Sequence, residues 1–265
     1  MQFRLILLAV MIAAPTTAMA QDRDYCPDRP GIGTPACTME PGRLSLETGL
    51  GDWAVSRDSS QREDTIVLGD ALLRMGVADH AEVQVGWKSL GLVRTRDRQS
   101  RQIDHRSGTG DMTLALRRNL ANPDGSGFSA AVMPFVSLPT GGAAIGAGDW
   151  GGGVRIPLSY ELSPVVSLEA VPEFDADVDE DRHGRHFKFS DVVGVSVKLA
   201  EAITATAEYQ FSAVRETGDH HLEHVSGLSL AWQTSGNFQV DLGANAGLDR
   251  DSDDLEVYLG VSRRF

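Results

Sequence analysis

The chain has 265 residues, 37 acidic against 24 basic, a formal charge of −13 and two cysteines. An acidic balance of that size argues against nucleic acid as a partner. No run of about eighteen apolar residues occurs, which excludes a membrane-spanning helix but not a membrane-spanning barrel.

In chain order, Arg4, the unbroken apolar run Leu5 to Ala14 and the small-x-small site Ala18-Met19-Ala20 come first. That layout predicts a cleaved secretory signal peptide over 1–20. Losing Arg4 leaves 37 acidic against 23 basic residues, or −14, a balance suited to exterior loops that bind divalent cations. Residues 21–42 are rich in Pro and Gly and are read as a periplasmic segment. Export favours a disulfide between Cys26 and Cys37, since no further ligands lie nearby to make a metal site.

From residue 43 the chain reads as strand after strand. Phe238, Val240, Leu242, Ala244, Ala246 and Leu248 share one face, with Gln239, Asp241, Gly243, Asn245 and Gly247 on the other. Ile203, Ala205, Ala207, Tyr209 and Phe211 oppose Thr204, Thr206, Glu208 and Gln210. Period two over roughly ten residues is what a tilted strand crossing hydrocarbon requires. Twelve such segments are expected, near 43–54, 65–76, 81–93, 110–120, 128–138, 151–162, 165–177, 187–199, 203–212, 222–233, 238–248 and 255–265. Connections after even-numbered segments are mostly tight, such as Ser163-Pro164. Those after odd-numbered segments are mostly longer and polar, such as Arg94 to Thr109, Pro139 to Trp150 and Val178 to His186. Short turns on one side and long loops on the other distinguish periplasm from exterior.

The predicted fold class is therefore all-β, a transmembrane up-and-down antiparallel β-barrel of about 12 strands over 43–265, in the cell outer membrane. A soluble β-sandwich also has short strands between turns, but not strands this long with alternating loop lengths. Trp232 and Phe238 at one end, and Phe187, Phe189, Tyr209 and Phe211 at the other, fall where interfacial girdles belong. The last strand places Val257, Leu259, Val261 and Phe265 on one face and resembles the insertion signal read by the barrel assembly machinery. Arg263 departs from that pattern and is expected to snorkel toward headgroups. Outer-membrane lipid and lipopolysaccharide are the other expected partners.

Pro134-Phe135-Val136-Ser137-Leu138-Pro139-Thr140-Gly141, followed by Gly148-Asp149-Trp150, resembles the outer-membrane family named for a MetA pathway of phenol degradation. The Cys26–Cys37 segment before Pro41-Gly42-Arg43 also looks like exported members of that group. The resemblance implies a barrel that passes small molecules, aromatic or apolar ones among them.

If the apolar face meets lipid, the lumen is lined by Glu82, Lys88, Arg117, Arg155, Glu169, Lys188, Glu208 and Asp241. Glu47, Gln84, Asp111, Glu161, Glu173, Lys198, Asn245 and Glu256 share that face. Such side chains either tune a water-filled channel or cross-link into a filled polar core. No cofactor motif is present: the glycine-rich stretch 139–153 lacks the strand-to-helix context of a phosphate loop and reads as a connection able to fold over or into the mouth. Asp179 to His186, Asp219-His220-His221 and Asp249 to Asp254 read as solvated loop charge rather than metal sites. His224 and Ser226, two apart on one strand, are the best pair for a lipid hydrolase, but no third residue accompanies them. A non-conducting structural or adhesive barrel is the alternative to a channel.

Overall fold

The computed structural model describes residues 23–179, 181–216 and 218–265; the predicted signal peptide lies outside the described residues. The strands are β1 (Leu44–Arg57), β2 (Gln61–Ala78), β3 (Ala81–Asp97), β4 (Ile103–Gly108), β5 (Met112–Ala121), β6 (Phe128–Leu138) and β7 (Gly151–Arg155). β8 (Leu158–Ser163), β9 (Val166–Val178), β10 (Arg185–Ala200), β11 (Ile203–Glu216), β12 (Asp219–Ser235), β13 (Phe238–Gly247) and β14 (Leu255–Arg264) follow. β4 and β5 both pair with β3, and β7 and β8 both pair with β6 and β9, so fourteen segments make twelve staves. Every pairing between strands is antiparallel, and β1 pairs with β14, closing the barrel.

The distribution of side chains is inverted relative to a soluble protein. Arg74, Arg117, Glu47 and Glu82 have no exposed surface, whereas Leu228, Leu242 and Trp232 are more than half exposed. In water such a surface is untenable; against lipid it is the favourable arrangement. On β1 the outward positions from Leu44 to Trp53 span nine residue steps. That is about 30 Å of strand, or roughly 23 Å of height at a tilt near 40°, close to the apolar band of about 25 Å that outer-membrane barrels present to lipid.

On β14, Val257, Leu259 and Val261 face outward, and Tyr258, Ser262 and Arg264 face the lumen. Arg263 points outward, with its guanidinium carbon 5.0 Å from the centre of the Phe265 ring. Alternation shifts once in the first three strands. Gly69, with φ of 68°, sits in a conformation that L side chains resist, and the inward positions of β2 change from Gly76 and Arg74 below it to Val67 above it.

The predicted strand positions stand, but three predicted loops do not. The one expected over 213–221, with Asp219-His220-His221 in it, is largely strand, since β11 runs to Glu216 and β12 starts at Asp219. The stretch Arg94 to Thr109 is largely an extended hairpin, with β3 running to Asp97 and β4 starting at Ile103. The first exterior connection shrinks to three residues between Arg57 and Gln61. Above the bilayer both faces of a strand meet water, so its sequence loses the apolar alternation that marks it lower down.

Candidate functional site

The periplasmic reading of residues 21–42 is corrected by their position. The described part, 23–42, runs inside the barrel. It enters near the turn after β2, where Arg23 donates to the Asp79 carbonyl at 2.7 Å. It reaches mid-lumen at Gly31-Ile32-Gly33, then returns to β1 past Pro41, which bridges to Gly76. Cys26 and Cys37 are disulfide-bonded across the two arms of this loop.

Polar contacts rather than apolar packing hold the segment. Asp28 accepts from Arg117 Nη2 and Nη1 at 2.6 and 2.9 Å and lies 2.9 Å from Arg74 Nη1. Arg74 also binds Glu82 through Nε at 3.0 Å and Glu47 through Nη1 at 2.9 Å. Two guanidinium groups are thus set against three carboxylates, and Glu47 also accepts from the Asp28 and Arg29 amides at 3.1 and 2.9 Å. Burial would raise the Asp28 carboxyl, but Arg117 and Arg74 outweigh it and hold it well below the usual carboxylate range.

Further attachments ring the loop. Arg29 pairs with Asp241 at 3.0 Å. Gly31 N donates to the Tyr258 hydroxyl at 3.1 Å. Glu208 accepts from the Ile32 and Gly33 amides at 3.0 and 2.7 Å. Asn119 Nδ2 donates to the Ala36 carbonyl at 2.8 Å, and Met39 N to Glu82 at 2.7 Å. At the periplasmic rim Arg264 donates to Glu40 at 3.1 Å. A buried network is stabilising to the extent that its members are satisfied together; here most are, while Arg117 Nε and Asn119 Oδ1 are left without a hydrogen-bond partner.

Above Ile32 the lumen opens to the exterior. One cavity of about 370 Å³ is lined by Ile32, Gln210, Glu223, Asn245, Asp253 and Glu256, among others. A second of about 320 Å³, on the other side of Ile32, is lined by Arg155, Glu173, Asp175, Asp177, Lys188 and Val192, among others. Burial, then the neighbouring Glu256, Glu63, Asp254 and Glu223, push the Asp253 carboxyl up. The 139–150 loop folds back over part of the mouth. Asp111 accepts from the Gly141 and Ala147 amides at 2.7 Å each. Ile145 occupies the space above Gly91, where any side chain on Gly91 would collide with it.

Residues 27–265 match the family described as putative MetA-pathway of phenol degradation. The chain belongs to that family. With its closed barrel and outward apolar girdle it is a protein of the cell outer membrane. No curated protein matches it in sequence. Among solved structures, the transport unit of the Escherichia coli autotransporter AIDA-I aligns over 84% of this chain and 90% of its own, with 8% identity and a TM-score of 0.52. The KdgM porin (8% identity, 84% and 99% covered, TM-score 0.47) and the CymD monoaromatic hydrocarbon channel (8%, 84% and 88%, 0.47) are similar at a lower level. At such identities the likeness is one of fold.

In this family member the expected lumen residues divide by height. Glu82, Arg117, Glu208 and Asp241 bind the inner segment. Glu169 lies beside Gly33 and Gly194. Arg155 pairs with Glu173 at 2.8 Å, and Lys188 with Glu223 at 2.9 Å, in the outer vestibule. Lys88 lies near Asp52, on the membrane side of Leu92 along β3. Glu161 and Lys198 belong to the periplasmic rim, where they line a cavity with Arg23 and Asn122. Sequence reasoning missed Arg74, Asp28, Arg29, Glu40, Tyr258 and Arg264. Arg74 carried one legible signal, a lone charge in the apolar run Ala71 to Val77.

Two other readings change. Asp179 and His186, expected as scattered loop charge, are brought together with Glu216, their ligand atoms within 4.8 Å of one another; His186 Nδ1 lies 3.0 Å from Asp179. His224 and Ser226 are not arranged as base and nucleophile. His224 Nδ1 is 2.6 Å from the Tyr209 hydroxyl, and Ser226 Oγ donates to the Ala246 carbonyl at 3.4 Å.

Proposed function

We propose that this barrel passes small polar solutes, cations preferentially, through a lumen that its own N-terminal segment closes at the periplasmic half. The observation that carries this is the attachment of residues 23–42. They are held by ion pairs and hydrogen bonds that water can replace, below a vestibule that is open and rich in carboxylates. A wall of packed leucines would be a permanent seal; a polar plug covalently continuous with only one strand is a displaceable one. Movement through it is passive diffusion once the segment shifts. The aromatic or apolar cargo implied by the family resemblance gains no support from the lining, whose charges favour polar solutes.

Liposome swelling with lysine, glutamate, neutral sugars and phenol tests the reading. Lysine is expected to enter faster than sugars and sugars faster than glutamate. Equal rates for lysine and glutamate would contradict the proposed selectivity. The filled lumen also favours a second reading, a non-conducting structural barrel. No solute entry, even after the segment is loosened, would establish that instead.

A further inference from the structure

The outer face of the exterior hairpins carries an arrangement that the lumen does not use. Arg57, Arg62 and Arg96 form one row straight across three neighbouring strands, since Arg57 is the register partner of Arg62, and Arg62 of Arg96. In the row closer to the membrane, Asp64 stands opposite Arg94, and Arg94 opposite His105. Like charges directly opposite on one sheet face are destabilising. The relief inside the protein is partial. Asp64 accepts from Arg62 Nε and Nη2 at 3.0 and 2.6 Å and lies 3.5 Å from Arg94, while Asp254 approaches Arg62 from the last exterior loop. Arg57 and Arg96 have no ion pair among the described residues.

Position says what completes the row. The next outward residues toward the membrane after Val55, Asp64 and Arg94 are Trp53, Ile66 and Leu92, which pair with one another and form the upper edge of the lipid-facing band. From Trp53 to Arg57 is four residue steps, about 13 Å of strand. The arginines therefore stand at the height of the outer-leaflet headgroups. Their guanidinium forks match phosphate geometry bidentately, which a lysine cannot do. Neighbouring strands lie about 4.8 Å apart, so adjacent forks can share one phosphate.

We propose that Arg57, Arg62 and Arg96, with Arg94 beside them, form a docking surface for the phosphate groups of lipopolysaccharide. The bound anion relieves a repulsion that the acidic chain otherwise leaves standing, and it ties the β1–β4 side of the barrel to the outer leaflet. This inference rests on the outward face alone and is independent of whether the lumen conducts.

The test is binding of purified rough lipopolysaccharide to the refolded, detergent-solubilised protein, compared with the same lipid after enzymatic dephosphorylation and with phosphatidylglycerol. Heat-modifiable migration confirms that each variant is folded. The Arg57→Gln/Arg62→Gln/Arg96→Gln variant is expected to bind lipopolysaccharide roughly tenfold more weakly or worse, as the loss of charge-assisted phosphate bonds requires. The dephosphorylated lipid should bind the native protein as weakly. The corresponding triple Lys variant should fall between the two. Unchanged affinity in the triple Gln variant overturns the proposal, and so does native affinity for phosphatidylglycerol equal to that for lipopolysaccharide.

Discussion

Asp28 meets Arg117 as a two-pronged pair, Oδ2 to Nη2 at 2.6 Å and Oδ1 to Nη1 at 2.9 Å. The two residues are 89 positions apart, and the pair joins the inner segment to the barrel wall. Removing one partner of a buried ion pair costs about 3–5 kcal/mol, because the other is left uncompensated. Asp28→Ala is therefore expected to free the segment while leaving the strands paired. Added protease should cleave within 23–42 in the folded variant and spare the native chain. Equal protection in both would contradict the latch.

The Cys26–Cys37 bond closes a loop of sequence separation 11, which by chain entropy is worth about 3 kcal/mol of order in the segment. Reduction should speed amide exchange at Ile32 and Gly33, whose N–H groups are held by Glu208. The strands should exchange as before. Unaltered exchange at those two amides would show that the wall contacts alone hold the loop.

How much of this was legible from the chain differs by layer. The strands were, because lipid enforces apolar residues at every second position; the run Phe238 to Leu248 shows this most clearly. The extension of β3 through Arg94, Arg96 and Asp97 was not, because above the bilayer nothing demands alternation. The lumen face was readable as a face, and Glu82, Arg117, Glu208 and Asp241 all lie on it. What fills it was not. Asp28 and Arg117, or Arg29 and Asp241, are joined by closure of the barrel across scores of residues, and local pattern carries no trace of that. Arg74 was hidden for a related reason, since the kink at Gly69 breaks the period of its strand.

Gly91 has its lumen-facing side against Ile145 of the 139–150 loop. Gly91→Val is expected to lift that loop from the mouth. The Gly141 and Ala147 amides, released from Asp111, should then exchange on the order of tenfold faster or more, in line with local opening of a few kcal/mol. Asp111→Ala should give the same change without any steric clash. No change in either variant would mean that the loop is held elsewhere.

Asp253 carries a carboxyl raised above its ordinary value, so on acidification it takes up its proton before the ordinary carboxylates of the vestibule. Cation preference, read from reversal potentials across a salt gradient, should begin to fall at a pH above the usual carboxylate range. Asp253→Asn should diminish that early part of the decline and leave the later part. A profile identical in the variant would exclude Asp253 as a contributor.

Single-channel recording in planar bilayers, comparing the refolded native protein with Asp28→Ala, addresses the closed lumen most directly. If residues 23–42 close it, the native barrel should be silent or open only briefly, and the variant should show long, steady openings of a cation-selective pore. Steady openings of equal size and duration in both would mean that the segment does not obstruct the path.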